Sequence, residues 1–341
     1  MLARDFEIPI RSTECLNMAN RAPEAEKLLI FSGEAEKYAP MVAMRCPDLD
    51  VVVCRDYEGL GDALATERPS YVLATTFKER VFPRDVLFAA PSVRWVHNAG
   101  AGVDHLVPWD PEAVAVTNVS GIHVECLSEY AICAMLMLNL NFLGFAEQQR
   151  RHHWRNESLP SVVGKTVAVV GFGKIGQGVG ARAQALGMRV IGFRTRAAPS
   201  PHAERVLAIE ELRAVVPEAD FVALTVPRTP RTIGLIDAAT IAAFKPGVYL
   251  VNISRGRVVD ETALLTALST GHVAAAVIDV FATEPLPADS PYWDLPNVFV
   301  TPHTGDPVRW QERVAEIFCD NVERRRRGDH MVNVVLPDRG Y

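Results

Sequence analysis

The 341-residue chain lacks the features that mark disulfide-rich, membrane-spanning or secreted proteins. Its six cysteines are scattered without a Cys-x-x-Cys pair, so we expect reduced thiols and no zinc site. No apolar run reaches the ~20 residues that a membrane span needs. The first residues carry early acidic side chains and no apolar core, unlike a signal peptide. These absences predict a cytoplasmic protein that binds no metal.

An excess of positive charge is also missing, because the formal net charge is −6. This charge argues against nucleic acid as the main partner. The run Arg324–Arg327 is a local exception, and we interpret it as a solvated helix end that complements the helix dipole. The chain is 49% hydrophobic and 22% charged, which is ordinary globular composition, and its length suits about two domains.

What the sequence does contain is a repeated alternation of strand and helix patterns, which predicts parallel sheets with helices on both faces. The first series has strand patterns at Leu28–Phe31, Asp50–Cys54, Tyr71–Thr75 and Val93–His97, with helix patterns at Glu34–Arg45, Leu60–Glu67 and Arg84–Ala89. The second series opens at Thr166 and continues through strand patterns at Met188–Phe193, Phe221–Thr225, Val248–Ile253, Ala274–Asp279 and Val298–Thr301. A final helix is predicted over Asp306–Arg327, after the second sheet is complete.

Two doubly wound α/β domains follow from this order, and the final helix belongs with the first domain or bridges both. We predict a first domain formed by residues 1–120 and 305–341 and a second formed by residues 121–304. A chain that crosses twice makes a hinge, and the cleft between the domains is then the expected active site.

The stretch from Thr166 to Gly176 is a β-branched run that ends in Gly-x-Gly-x-x-Gly and is followed by a helix pattern. Gly171 suits the tight turn, Gly173 a close approach of the backbone to a pyrophosphate, and Gly176 close packing of helix on strand. The pyrophosphate would lie at the helix N-terminus, next to Lys174 and Ile175. With a strand before it and a helix after it, the motif predicts a dinucleotide site.

The end of the next strand indicates which dinucleotide is bound. An acidic residue there normally takes the ribose hydroxyls of NAD, whereas an arginine accommodates the 2′-phosphate of NADP. Here the residues are Arg194, Thr195 and Arg196, without a carboxylate. We therefore expect NADP(H) to be favoured over NAD(H), and the alternative is a solvated loop whose arginines bind nothing specific.

Three polar segments follow later strands of the second series, where ligand-facing loops emerge. They contain Arg255, Glu284 and His303. An arginine can hold a carboxylate with two hydrogen bonds, and a histidine can transfer a proton near neutral pH. A glutamate beside the histidine would orient the ring and favour its charged form. The set fits reduction of a carbonyl by a cofactor hydride, in which Arg255 binds the substrate carboxylate and His303 donates the proton.

From about Tyr71 to Val335 the chain resembles the D-isomer-specific 2-hydroxyacid dehydrogenase family, in particular its glyoxylate/hydroxypyruvate reductase-like branch. The stretches that carry the resemblance, besides the glycine motif, are Asn98-Ala-Gly-Ala-Gly-Val-Asp104, Leu224-Thr-Val-Pro-Arg-Thr-Pro-Arg-Thr232, Arg255-Gly256, and Glu284-Pro285 with Thr301-Pro-His303. The resemblance implies a Rossmann cofactor domain, a flavodoxin-like substrate domain in two pieces, and a homodimer.

The resemblance also implies residue roles. Arg255 would bind the substrate carboxylate and keto oxygen, His303 would be the acid/base and Glu284 its partner. The backbone N–H groups of Gly100, Ala101 and Gly102 would bind the carboxylate. Beyond the glycine motif and the residues after the second strand, the implied cofactor contacts are Val226, Pro227, Thr232, Ile253, Ser254 and Asp279, the last with the nicotinamide carboxamide.

The expected activity is reduction of a small 2-oxoacid to a D-2-hydroxyacid with NADPH. Two alternatives stay open: a dinucleotide-sensing protein like the corepressors related to this family, and a dehydrogenase of a phosphorylated hydroxyacid. The latter would use extra basic residues, for which Lys78, Arg80 and Arg84 are candidates. One departure from the family pattern is Tyr130, where members often have a histidine. Glu284 argues against the related formate-oxidising branch, which pairs its histidine with glutamine.

Overall fold

The computed structural model describes residues 26–75, 81–305 and 307–337. The chain divides into two compact units. The first unit ends at Ser120 and resumes at Arg309, and the second unit is Gly121–Val308. The return to the first unit therefore lies between Val308 and Arg309, whereas the sequence placed it between Thr304 and Gly305.

The described residues form two parallel sheets. Their strands are β1 (Lys27–Phe31), β2 (Asp50–Cys54), β3 (Tyr71–Ala74), β4 (Trp95–Asn98), β5 (Ala115–Thr117), β6 (Thr166–Val170), β7 (Arg189–Arg194), β8 (Arg205–Ala208), β9 (Phe221–Leu224), β10 (Val248–Asn252), β11 (Val273–Ile278) and β12 (Val298–Val300).

Helices connect most of these strands. They are α1 (Ala39–Arg45), α2 (Leu60–Glu67), α3 (Arg84–Ala89), α4 (Val124–Asn139), α5 (Phe142–Arg150), α6 (Lys174–Ala185), α7 (Leu212–Val215), α8 (Ala238–Ala242), α9 (Glu261–Ser269) and α10 (Trp310–Arg327). No single helix among them is long and apolar enough to cross a membrane, and α4 with α5 reaches that length only as a pair bent by 62°.

The first unit has a five-stranded sheet in the order β2-β1-β3-β4-β5, which is the flavodoxin-like arrangement. The sequence predicted four of these strands and missed β5, whose three residues are all buried and show no alternation of buried and exposed positions. The predicted final helix is α10, which begins at Trp310 rather than at Asp306 and belongs to the first unit. Its Phe318 ring stacks on Trp95 of β4 at a centroid distance of 4.9 Å.

The arginine run at the end of α10 is exposed at Arg324, Arg326 and Arg327, as predicted, but the interpretation was wrong for Arg325. Arg325 is only 3% exposed, and its guanidinium carbon lies 5.7 Å from the centre of the Tyr71 ring. Arg326 forms an ion pair with Asp48, with 3.2 Å between Nη1 and Oδ2. Arg327 pairs with Glu323 at 3.0 Å. Arg325 and Arg326 therefore fasten α10 to other elements of its own unit, whereas the Arg327 pair lies within the helix.

The second unit has a seven-stranded sheet in the order β12-β11-β10-β9-β6-β7-β8, with the first strand of the unit near the centre as in the Rossmann fold. The sequence predicted six strands and missed β8, a short, half-exposed strand at the sheet edge. Alternate residues of β6 enter two different core clusters: Ala168 and Val170 enter one, Val167 and Val169 the other. The sheet is therefore buried on both faces, which explains the near-continuous apolar strands.

Candidate active site

The glycine motif lies between β6 and α6, as predicted, and two of its glycines are required by close backbone contacts. Gly171 has φ +103°, and a Cβ atom there would lie 2.6 Å from the backbone nitrogen of Val226. A Cβ atom at Gly176 would overlap the carbonyl oxygen of Gly171. Since a side chain at either position would push the helix or the neighbouring loop away, the motif fixes the helix N-terminus against the sheet.

Gly173 differs from the other two glycines, because a Cβ atom there would meet nothing within 4 Å. The space in front of it adjoins the first turn of α6, whose N-terminus no side chain of the described residues caps. First-turn N–H groups and the positive end of the helix dipole favour an anion in such a place. The residues present therefore fit the pyrophosphate of a dinucleotide.

The end of β7 is a cationic and exposed surface. Arg194 is the last residue of the strand, and Arg194, Thr195 and Arg196 are all exposed. Neither arginine side chain forms an ion pair with another residue that the structure describes. Arg189, at the other end of the same strand, is paired with Glu204 at 2.9 Å between Nε and Oε2. The guanidinium groups of Arg194 and Arg196 are thus available to an external anion, whereas that of Arg189 is already paired with Glu204.

The other predicted cofactor residues lie in loops after β9 and β10. Thr232 closes a compact turn, because its Oγ1 donates to Pro227 O at 2.6 Å and accepts from the backbone N–H of Thr229 at 2.8 Å. Val226 lies against Gly171 through the contact described above. Ile253 and Ser254 follow β10, and Ser254 Oγ donates to Asn252 Oδ1 at 2.7 Å. These loops border the same edge of the sheet as the glycine motif.

His303 and Glu284 form a hydrogen-bonded pair in the second unit. The distance between His303 Nδ1 and Glu284 Oε2 is 2.7 Å. Glu284 Oε1 accepts from the backbone N–H of Phe281 at 2.9 Å. Burial by itself would raise the pKa of Glu284, but these hydrogen bonds and the nearby charge of Arg255 outweigh it and lower the pKa. Glu284 is therefore an ionised acceptor for the histidine N–H at neutral pH.

Arg255 lies in the loop that follows β10, next to Ser254. Its Nη1 donates to Ser254 O at 2.7 Å, and no other guanidinium bond to a described residue is present. The next residue must be glycine, because a Cβ atom at Gly256 would overlap the backbone of Phe281 and Ala282. This close approach joins the loop that carries Arg255 to the loop that carries Glu284. The structure thus brings the three predicted catalytic residues together at one sheet edge.

Asp279, at the end of β11, is only 2% exposed. Its Oδ1 accepts from Thr301 Oγ1 at 2.5 Å and from the backbone N–H of Thr304 at 3.0 Å. Burial raises the pKa of Asp279, although both hydrogen bonds oppose that rise. Both bonds use Oδ1, and within the described residues nothing donates to Oδ2. Oδ2 is therefore the atom that could accept from a carboxamide.

Tyr130 is connected to Asp279 through Thr301, although the sequence analysis predicted no role for it in the site. Its hydroxyl lies 2.6 Å from Thr301 Oγ1, which donates to Asp279. Burial raises the pKa of Tyr130 to about 12, so the hydroxyl stays protonated. The departure from the family pattern at this position was the available signal. Tyr130 is separated from Asp279, a predicted cofactor contact, by two hydrogen bonds through Thr301.

The predicted substrate loop follows β4 in the first unit. Gly100 is exposed, and Ala101 and Gly102 are half-buried. Their backbone N–H groups have no partner among the described residues. Of the basic residues proposed for a phosphorylated substrate, Lys78 and Arg80 lie outside the described residues. Arg84 donates to Val107 O and pairs with Asp85.

Comparison with known proteins identifies the family of the chain. The family model for the D-isomer specific 2-hydroxyacid dehydrogenase NAD binding domain matches residues 132–305. The D-3-phosphoglycerate dehydrogenase of Mycobacterium leprae is 37% identical over 264 residues, which are 75% of this chain and 49% of that protein. The glyoxylate reductase of Pyrococcus furiosus is 32% identical over 272 residues, 75% of this chain and 80% of that protein. The chain thus spans about half the length of the phosphoglycerate dehydrogenase relatives it matches.

Solved structures give the same result. A D-isomer specific 2-hydroxyacid dehydrogenase from Xanthobacter autotrophicus Py2, in complex with NADPH and MES, superposes with a TM-score of 0.83 at 28% identity. An NADPH-dependent glyoxylate/hydroxypyruvate reductase from Sinorhizobium meliloti, in complex with NADP and sulfate, gives 0.80 at 25% identity. Each match covers 93% of this chain and 100% of the other.

Proposed function

Because the chain belongs to the D-isomer-specific 2-hydroxyacid dehydrogenase family, we propose that it reduces a small 2-oxoacid, of the glyoxylate/hydroxypyruvate type, to a D-2-hydroxyacid with NADPH. The observation that carries this proposal is the hydrogen bond of 2.7 Å between His303 Nδ1 and Glu284 Oε2, in a loop that packs at Phe281 and Ala282 against Gly256, the neighbour of Arg255. A proton donor, its orienting carboxylate and a carboxylate-binding cation are the groups that the reaction requires.

In the proposed mechanism, bound NADPH supplies the hydride that reaches the keto carbon. Arg255 binds the substrate carboxylate and polarises the keto oxygen through N–H groups that the protein leaves unused. Glu284 accepts the N–H at Nδ1 of His303, which fixes the ring and stabilises the imidazolium. The N–H at Nε2 then delivers its proton to the oxygen that becomes the hydroxyl. Asp279 would hold the nicotinamide carboxamide through Oδ2, since its Oδ1 is occupied by Thr301 and Thr304.

The preference for NADPH is supported by Arg194 and Arg196, which are exposed and make no ion pair with another described residue. Replacing both with serine should raise the KM for NADPH about tenfold or more and leave the KM for NADH nearly unchanged, because only NADPH carries the 2′-phosphate. Arg189→Ser is the matched control on the same strand, and it should affect both cofactors equally. Equal effects of the double replacement on both cofactors would contradict the preference.

The first experiment is to measure consumption of NADPH and NADH in parallel with glyoxylate, hydroxypyruvate, pyruvate, a bulky 2-oxoacid and a phosphorylated 2-oxoacid. Turnover of the small acids with NADPH well above NADH supports the proposal. Tight NADPH binding without turnover of any acid would contradict it and favour the dinucleotide-sensing protein.

A dehydrogenase of a phosphorylated hydroxyacid is the second candidate. It is favoured by the 37% identity to a protein named D-3-phosphoglycerate dehydrogenase. It is disfavoured by Arg84, which is engaged within its own unit. In the same assay, a kcat/KM for the phosphorylated acid above that for glyoxylate and hydroxypyruvate would select this candidate.

We also propose a homodimer, as the family resemblance implies. In the second unit, Phe142, Trp154 and Leu159 are 55%, 97% and 58% exposed, which is unusual for such large apolar side chains in one segment. Light scattering coupled to gel filtration measures the mass directly, and a single species of 37.4 kDa would contradict the dimer.

A further inference from the structure

Two buried asparagines lie under the substrate loop of the first unit. Asn98 is the last residue of β4 and Asn118 follows β5, the neighbouring strand, so both stand at the carboxyl edge of the sheet. They are 0% and 2% exposed. Neither was singled out as a site residue by the sequence motifs, although Asn98 opens the substrate-loop motif.

The two side-chain amides bind three successive carbonyl oxygens of the loop. Asn98 Nδ2 donates to Gly100 O at 2.7 Å and to Gly102 O at 2.9 Å. Asn118 Nδ2 donates to Ala101 O at 2.7 Å. Together these bonds turn every carbonyl of the Gly100–Gly102 segment toward an asparagine.

The consequence for the N–H groups follows from peptide geometry. In a planar trans peptide the C=O of one residue and the N–H of the next point in opposite directions. When the carbonyls of Gly100 and Ala101 are held by the asparagines, the N–H groups of Ala101 and Gly102 point away from them. Since these N–H groups have no partner among the described residues, they form a small concave donor surface that suits an anion.

One atom of Asn98 is left unpaired by this arrangement. Its Oδ1 is buried and accepts no hydrogen bond from the described residues. A buried acceptor without a partner destabilises a fold. A rotated amide would direct Oδ1 at two carbonyl oxygens, so the orientation is fixed by the loop. The side chain of Asn98 therefore donates two hydrogen bonds to the loop while its own Oδ1 stays without a donor among the described residues.

Asn118 is held rigidly from the opposite side. Its Oδ1 accepts from the backbone N–H of Ser120 at 3.0 Å, and its backbone N–H donates to Asn333 O at 3.1 Å. Asn333 Nδ2 in turn donates to Ser120 O at 3.0 Å. The segment after α10 thus fixes the asparagine that holds Ala101.

We propose that Asn98 and Asn118 are positioning residues for substrate: they hold the Gly100–Gly102 carbonyls inward so that the backbone N–H groups face the carboxylate of a 2-oxoacid. This inference rests on the proposed function, and it adds residues that act through the loop without touching substrate.

The test replaces each asparagine by leucine, which has nearly the same shape, no charge and no donor. Asn98→Leu removes two donors to the loop and also removes the unpaired acceptor. We expect its KM for glyoxylate, or for the best 2-oxoacid found, to rise about tenfold to a hundredfold, because small errors in the position of binding groups have effects of this size. Its KM for NADPH and its melting temperature should change little. Asn118→Leu should raise the same KM by a smaller factor.

Asn321→Leu is the matched control. Asn321 is also a fully buried asparagine of the first unit, and it exchanges two hydrogen bonds with Val332. Its replacement should lower the melting temperature and leave the KM for the 2-oxoacid unchanged. Kinetics are measured well below each melting temperature, and binding of oxalate to the NADPH complex is measured by calorimetry as a readout other than turnover.

The outcomes separate this inference from the proposed function. If the wild type reduces 2-oxoacids and both variants keep its KM and its affinity for oxalate, the asparagines do not position the loop. If Asn98→Leu fails to fold, Asn118→Leu alone decides by the same two measurements. A wild type that reduces no 2-oxoacid and binds no oxalate would overturn the proposed function itself, together with the inference built on it.

Discussion

The carboxyl edges of the two sheets carry different chemistry. In the second unit, the loops after β10, β11 and β12 carry ionisable side chains, with Glu284 and His303 35% and 42% exposed. In the first unit, the Gly100–Gly102 segment after β4 carries only backbone groups and small side chains, and the neutral amides of Asn98 and Asn118 are buried beside it. The first set of groups can transfer a proton, whereas the second set can only form hydrogen bonds. Both sets follow strands of a parallel α/β sheet, so the architecture alone does not determine the chemistry of a loop.

The two histidines His97 and His303 differ in a similar way, in their burial and in their hydrogen-bond partners. His97 lies on β4, is 0% exposed, and has its Nδ1 2.8 Å from Thr117 Oγ1. Burial lowers its pKa to about 3, so it is neutral at any physiological pH. His303 has φ +52° and is paired with a carboxylate. Exposure and an ionised partner, rather than position near a strand end, distinguish the histidine that can act as an acid.

The variant His303→Ala tests most directly whether the second unit carries the proton donor. We expect kcat to fall about 10²–10⁴-fold, since the positioned proton donor is lost. The affinity for NADPH, followed by fluorescence titration, should be retained. His272→Gln is the control in the same unit, because His272 Nε2 lies 2.9 Å from Ile241 O and serves packing. Wild-type turnover in the His303 variant would remove the acid/base role.

Arg255→Ala should have the next largest effect and should change two constants together. Loss of the guanidinium removes carboxylate binding and polarisation of the carbonyl, so KM rises and kcat falls, with kcat/KM lower by about 10²–10³-fold. Arg257→Ala, two residues away and exposed, is the control and should retain both constants. A rise in KM alone would restrict Arg255 to uniform binding of the substrate.

Glu284→Gln tests the electrostatic part of the comparison. The amide still occupies the site but does not stabilise a charged imidazole, so kcat should fall about tenfold or more. The variant should also change how the stability of the fold depends on pH in the acidic range. The folded pKa of Glu284 is lowered, so its ionised form stabilises the fold above the unfolded value of about 4.3 and this contribution disappears as pH falls through the folded value.

The measurement is the melting temperature of wild type and Glu284→Gln from pH 7 to pH 3. The wild type should be the more stable at pH 7, and the difference should shrink below about pH 4.3. A difference that stays constant over the whole range would show that the carboxylate charge contributes nothing.

The smallest effect is expected for Tyr130→Phe. Removing the hydroxyl breaks one hydrogen bond to Thr301 and leaves the ring in place, so Asp279 is held less firmly. The KM for NADPH should rise a few-fold with kcat nearly unchanged, as for loss of about 1 kcal/mol. Tyr249→Phe on β10 is the control and should alter neither constant. A larger change in kcat than in KM would place Tyr130 in the acid/base step.

Most strands and several helices could be predicted from the sequence, whereas β5 and β8 could not. Leu60–Glu67 and Arg84–Ala89 are helices with the predicted bounds, and β6 leads into the glycine motif. The residues of β5 are all buried and those of β8 are all half-buried, so neither strand shows an alternation of buried and exposed positions. Their existence depends on pairing with β4 and β7, which a local pattern does not contain.

The same limit applies to the candidate site. The Arg255, Glu284 and His303 motifs could be found because their residue types and spacing are tied to chemistry. The contacts of Asn98 and Asn118 with the Gly100–Gly102 backbone, and of Tyr130 with Thr301, are visible only in three dimensions. No local sequence pattern predicts which group each amide or hydroxyl contacts. Arg325 shows the opposite error, since a charged run predicted solvation while one member lies beneath an aromatic ring.

The missing side chain at Gly256 has a consequence for how the second unit can move. Because no Cβ atom fits between this residue and the Phe281–Ala282 backbone, we expect the loops after β10 and β11 to shift together rather than separately. A ligand that displaces the segment of Arg255 would also displace the segment of Glu284. A change in the sequence of either loop is therefore constrained by the other loop.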